Sequence, residues 1–161
     1  MSSSSEFSPF AAFLTVGGER PDASLLQSLP EEVLARARGF QSLKRQTEFL
    51  WGRLIFYAVF RALAPQAVLV ERPPLTPQIL MPDGSERIFA SIAHTAGCIA
   101  VMGAPFCCAL DAELMKPGRV NAQLTDRVFG QGASRLIAQD PVSGFYRLWG
   151  LREAAVKMQA R

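Results

Sequence analysis

From Ser42 to Ala64 the chain carries no proline, and from Phe49 to Ala64 it is apolar on almost every side of a helical projection. A helix that is hydrophobic all round cannot lie on a surface, so the remaining elements have to be built around it. Its interruptions are Gly52, Arg53 and Arg61. A glycine inside a helix costs roughly 1 kcal/mol relative to alanine, which predicts that Gly52 permits a close backbone approach. The two arginines, and a length short of the ~20 residues a spanning helix needs, argue against a membrane span. Pro65 stops the helix.

The flanking sequence supplies strands and further helices. Ala11–Val16 reads as a first strand ended by Gly17-Gly18, after a polar leader over residues 1–9 expected to be disordered. Ser28-Leu-Pro30-Glu31-Glu32 has the pattern of a helix start, with serine as its cap, and Gly39 lies just past the predicted end at Arg38. Strand character runs from Val68 to Glu113, broken at Pro73-Pro74 and by a turn at Met81-Pro-Asp83-Gly84. Ile88–Ala93 and Cys98–Met102 form a predicted hairpin joined by His94-Thr-Ala-Gly97, and Cys107–Glu113 is the next predicted strand. After Pro117-Gly118, helices are predicted over about 122–129 and from about Pro141 onward. The class is α+β, a mainly antiparallel sheet with packed helices. Residues 10–106 read as an N-terminal half and 107–161 as the start of a C-terminal half.

Composition narrows the function. Seventeen basic and fourteen acidic residues leave a net charge of +3 in 161 residues. That excess suits an anionic ligand, but the basic residues are spread too evenly for a nucleic-acid surface. Cys98, Cys107, Cys108 and His94 are too few and too badly spaced for a structural zinc site, so the cysteines read as three buried thiols in strands, in a reducing cytosol. The N-terminus lacks a basic n-region and its apolar stretch is short, so no secretory signal is expected. The expected location is cytoplasmic, with neither membrane nor nucleic acid as partner.

Asp111 and Glu113 are two residues apart, so on an extended chain both carboxylates project from one face. Adjacent carboxylates need a cation, and Mg2+ takes one or two of them together with waters and a phosphate. Alone, the pair reads more readily as an acidic strand end in water. In the last helix, Tyr146, Gly150, Glu153 and Lys157 share one stripe, whereas Phe145, Leu148, Trp149, Ala155 and Val156 share an apolar one with Arg152 in its midst. Glu153–Lys157 alone reads as an ordinary i,i+4 pair, worth about 0.2–0.5 kcal/mol.

Taken together these pieces resemble the 4′-phosphopantetheinyl transferases. That family carries an acidic D-x-E strand followed by W-x-x-K-E-A-x-x-K, and here Asp111-Ala-Glu113 precedes Trp149-Gly-Leu-Arg152-Glu153-Ala-Ala-Val-Lys157. Upstream, Ser91-Ile-Ala-His94-Thr is similar to the I-S-H-S segment of the longer, surfactin-type branch. Arg45-Gln-Thr-Glu-Phe-Leu-Trp-Gly-Arg53-Leu is similar to the branch's helix with its G-R-x-L element. The resemblance spans Arg45 to Lys157 with the pieces in order.

The resemblance implies transfer of the phosphopantetheinyl arm of coenzyme A to a serine of an acyl or peptidyl carrier protein, with release of 3′,5′-ADP. It implies Mg2+ held by Asp111, Glu113 and Glu153, with Glu153 taking the serine proton and Lys157 serving the leaving phosphate. Arg45, His94 and Arg152 would contact the coenzyme, the first two at its 3′-phosphate end. For His94, a histidine of the core or hairpin remains the alternative. The chain departs from the family at Leu75-Thr-Pro77, where G-K-P is usual, at Ala93 in place of serine, and at Arg152 in place of lysine. It also reaches only Arg161, where longer relatives carry further strands that complete a pseudosymmetric second half. A helix ending there leaves an apolar face to be covered by a partner or, through self-association, a second copy. A non-catalytic relative that binds coenzyme A or a carrier is the alternative function.

Overall fold

The computed structural model describes residues 8–71, 77–82 and 87–159. In chain order its elements are β1 (Phe10–Thr15), α1 (Ala23–Leu26), α2 (Glu31–Arg38), α3 (Leu43–Leu63), β2 (Val68–Val70), β3 (Gln78–Leu80), β4 (Arg87–Thr95), β5 (Cys98–Ala104), α4 (Ala122–Phe129), α5 (Ala133–Leu136) and α6 (Pro141–Gln159). The five strands form one sheet in the order β1-β5-β4-β3-β2, every neighbouring pair antiparallel. The protein is therefore α+β, with helices packed on an antiparallel sheet. The leader over residues 1–7, the Pro73-Pro74 break, Leu75-Thr76 and the Asp83-Gly84 turn lie outside the described residues.

Helix α3 is the predicted buried helix, opened by Ser42, whose side chain accepts from the Arg45 amide. Leu50, Phe56 and Phe60 on α3 are fully buried with Val33 of α2, Ile79 of β3 and Val101 of β5. Two glycines set how closely helix and sheet approach. A Cβ on Gly52 would lie 3.3 Å from the Ile92 side chain, and one on Gly103 would lie 2.7 Å from the rings of both Phe10 and Phe60.

The charged interruption in α3 is resolved within the fold. Arg53 Nε lies 2.8 Å from Glu71 Oε1, with side chains only 7% and 6% exposed, and the guanidinium sits over the Phe49 ring at 4.6 Å. Burial lowers the pKa of Arg53, and the charge of Glu71 opposes that. Burial also pushes the neighbouring Tyr57 hydroxyl up to about 12.

Three local expectations change. The β4–β5 connection is only Ala96-Gly97, both at positive φ (40° and 81°) as a tight two-residue hairpin turn requires. His94 and Thr95 therefore belong to β4, paired with Ile99 and Cys98. Ser28 does not cap α2. Its hydroxyl donates to Leu25 O at the end of the short α1, and Pro30 occupies the cap position. The three cysteines are thiols and not disulfides, but only Cys108 is buried and only Cys98 lies in a strand; Cys107 is exposed.

The stretch after β5 is the largest difference. Residues 107–116 are extended without joining a strand ladder. Cys108 Sγ donates to Phe89 O, Leu110 N to Ser91 Oγ and Leu114 N to Thr95 Oγ1, each across a sequence separation of 19. A constant separation means that the segment runs parallel to β4. Ile92 faces Gly52 of α3, so by strand alternation Ser91 and Thr95 look to the opposite side of the sheet, where the segment lies. Side-chain hydroxyls thus replace the backbone acceptors that a sheet neighbour would supply. Among the described residues, no helix is long and apolar enough to cross a membrane.

Ser91 is 1% exposed, so Ser91→Ala should leave the Leu110 amide without its acceptor, at a cost of about 1–3 kcal/mol. Denaturant unfolding should record the loss, and amide exchange should quicken over residues 108–114 before the rest of the fold. Unchanged exchange there would show that Ser91 does not anchor the segment.

Candidate active site

Helix α6 crosses the extended segment and is tied to it at three levels. The Lys116 amide donates to the Tyr146 hydroxyl at 3.0 Å. Trp149 Nε1 donates to Glu113 Oε1 at 3.1 Å. Lys157 Nζ donates to Asp111 Oδ1 at 2.8 Å and to Leu110 O at 3.1 Å. Contacts move back along the segment as they move forward along the helix, so the two run antiparallel. Tyr146, Trp149, Glu153 and Lys157 follow at steps of three and four residues, which places them on one helical stripe.

Sequence periodicity assigns Trp149 to the apolar stripe, and the structure corrects that. Its ring stacks on buried Phe145, with centroids 6.2 Å apart, while its indole N–H reaches the carboxylate. Such a ring has an apolar body and a polar handle, so it serves both faces. Glu153 is partly buried, one turn from Trp149 and one turn from Lys157. A Cβ on Gly150 would meet nothing within 4 Å, so this part of the helix has open space beside it.

Arg152 lies elsewhere. Its Nη1 donates to Val128 O at 3.4 Å, and its guanidinium lies 6.0 Å from the Trp149 ring centroid. That carbonyl belongs to the last turn of α4, where a cation meets the negative end of the helix dipole. The outer side of α6 is open, with Leu151 69%, Val156 53% and Met158 42% exposed.

His94 projects toward α3, its Nδ1 3.4 Å from Glu48 Oε2. Burial pushes its pKa below the usual histidine value; Glu48 pulls it up, while Arg45, Lys157 and Lys44 push it further down. The start of α3, the end of β4 and the end of α6 therefore gather Lys44, Arg45, His94 and Lys157 around one region. Glu48, with its side chain 15% exposed, balances part of that charge and also lies 3.9 Å from Lys44 Nζ. Sequence reasoning missed Glu48, because its partner His94 comes from a different element. Only the i,i+4 spacing from Lys44 hinted at it.

Beside this region is a cavity of about 430 Å³ whose lining includes Lys44, Lys116, Arg119, Glu113, Tyr146 and Trp149. Cations, a carboxylate and aromatic rings facing one space suit a ligand with both anionic and flat apolar parts. Lys116 and Arg119 were not singled out from the sequence, where they look like ordinary exposed charges.

Asp111, Glu113 and Glu153 offer carboxylate oxygens to a metal ion. Asp111 Oδ2 is buried and has no hydrogen-bond partner among the described residues, which leaves an acceptor for a hard cation. Carboxylate oxygens are the donors that Mg2+ prefers, and it needs only one or two of them when a phosphate supplies others. Among the described residues, no three His, Cys, Asp or Glu side chains converge as a complete metal site. The donor chemistry fits, with part of the coordination left to water and substrate. No protein-family model matches the chain, and comparison with curated proteins finds no match either.

The depressed pKa of His94 has a definite consequence for stability. As pH falls below about 6.5, the unfolded chain takes up a proton that the folded chain resists. Stability should therefore decline with falling pH until His94 protonates within the fold. His94→Gln should flatten that portion of the profile, measured as unfolding free energy between about pH 5 and 8. A profile unchanged by the substitution would contradict the assignment.

Proposed function

We propose that this protein is a 4′-phosphopantetheinyl transferase, moving the phosphopantetheine arm of coenzyme A onto a serine hydroxyl of an acyl or peptidyl carrier protein. One observation carries the reading: α6 crosses the acidic segment so that Lys157 and Trp149 bond to Asp111 and Glu113, with Glu153 between them on the same stripe. Four residues of the resembling motifs are thus in contact, Asp111 with Lys157 and Glu113 with Trp149. The cationic region around His94 and Arg45 and the adjoining cavity give additional support.

In this mechanism Glu153 takes the proton of the carrier serine as its oxygen attacks the phosphorus that bears the pantetheine arm. A new oxygen–phosphorus bond forms, the bond to the second phosphate breaks, and 3′,5′-ADP leaves. Lys157 offsets charge on the departing phosphate, and Arg45 and His94 hold the nucleotide's 3′-phosphate. Mg2+ bound by Asp111, Glu113 and Glu153 would supply charge neutralisation across the pyrophosphate. Phosphoryl transfer depends mainly on such positioning and neutralisation. Arg152 is the exception among the assigned residues, since its partners are Val128 and Trp149. On this reading the protein works in the cytoplasm. On the same reading residues 107–161 belong to a second half, and the exposed Leu151, Val156 and Met158 of α6 offer a surface for self-association.

A second reading has its own observation. The cationic surroundings of His94 and the cavity beside Glu113 need only bind a ligand, which suits a non-catalytic relative that binds coenzyme A or a carrier. Incubation with coenzyme A, Mg2+ and a panel of apo-carriers, followed by intact mass, separates the two. Transfer predicts a phosphopantetheine-sized gain on a carrier, and Glu153→Ala should slow it by roughly 10²–10⁴-fold. Carrier binding with no gain on any carrier would favour the second reading.

A further inference from the structure

The contact between Lys157 and Asp111 occupies the place where a cation would be expected to work. Nζ lies 2.8 Å from Oδ1, and the carboxylate is 11% exposed while the lysine is 35% exposed. The carboxylate is therefore the fixed partner and the ammonium the one that can leave. The second carboxylate oxygen of Asp111, buried and without a hydrogen-bond partner among the described residues, keeps capacity that the lysine does not use. Glu113 is held beside it by Trp149 at 3.1 Å. The pair is thus kept in place by donors from α6.

We infer that Lys157 is a built-in counter-cation of the acidic pair, so that a divalent cation enters by displacing it, together with a phosphate that receives it. A dication and an ammonium on one carboxylate repel strongly where little water separates them. A phosphate removes that conflict, because it offers the ammonium a new partner while it binds the metal. Metal and phosphate then reinforce each other's binding, a coupling that is necessarily reciprocal. The inference rests on the transfer reading only for its choice of coenzyme A as the phosphate.

Mn2+ serves as a spectroscopic stand-in for Mg2+, with free Mn2+ followed by electron paramagnetic resonance and corrected for Mn2+ held by coenzyme A itself. In the full chain, Mn2+ alone should bind weakly, and coenzyme A should tighten it roughly tenfold or more. Lys157→Met should bind Mn2+ alone roughly tenfold more tightly than the unaltered chain, and the effect of coenzyme A should shrink. Lys157→Arg, which keeps the charge, should restore the original pattern, and Asp111→Asn should abolish binding in every background. Lys157→Met binding Mn2+ no more tightly would overturn the inference. If that variant fails to fold, the absence of any coenzyme effect on Mn2+ in the unaltered chain would overturn it instead. Coupled binding without transfer to any carrier would defeat the transfer reading and leave this inference standing. Transfer with uncoupled Mn2+ binding would do the reverse.

Discussion

The segment from Cys108 to Lys116 joins no strand ladder, yet its backbone polar groups still need partners. Burying such groups unpaired is costly, so where they go decides how the chain beyond the sheet is arranged. On one side, the amides of Leu110 and Leu114 are taken by hydroxyls of β4, at Ser91 and Thr95. On the other side, the Lys116 amide goes to Tyr146 and the Leu110 carbonyl to Lys157, both on α6. The segment is thus a seam between the sheet and the last helix, and the acidic pair lies within that seam. The chemistry is held where it is by the same bonds that satisfy the backbone.

Two ion pairs show how burial separates a structural role from an exchangeable one. Arg53 and Glu71 are both almost completely enclosed, with an aromatic ring under the guanidinium. Removing either partner would strand a charge in the interior, so that pair is fixed. At Asp111 only the carboxylate is enclosed, and its lysine partner keeps contact with solvent. A pair of that second kind can trade its cation for another. The cationic surroundings of His94 and the cavity beside Glu113 place anionic ligands within reach of the trade.

Much of this was legible in the sequence. All-round hydrophobicity identified α3, the Pro117-Gly118 break preceded the predicted α4 and α6, and Gly52 marked a close backbone approach. The extended character of 107–113 was also readable, but alternation reports only that a chain is extended. It cannot say whether the hydrogen-bond partners are backbone or side-chain groups, and here they are largely hydroxyls and a helix. Trp149 was assigned to the apolar stripe alone, because scoring it as apolar hides the N–H that reaches Glu113. Arg152 was placed near an anion by motif alone, whereas the C-terminal end of α4 offered it a nearer partner. Glu48 joins His94 only through tertiary packing, which no local spacing encodes.

In the metal-free chain Lys157 and Asp111 form a coupled pair, which adds to the Tyr146 and Trp149 ties between α6 and the acidic segment. A double-mutant cycle tests it most directly, with unfolding free energies for the unaltered chain, Asp111→Asn, Lys157→Met and both together. The account predicts a coupling of about 1 kcal/mol or more, above what exposed surface pairs usually show. Additivity within about 0.3 kcal/mol would contradict it, because the two groups would then act independently.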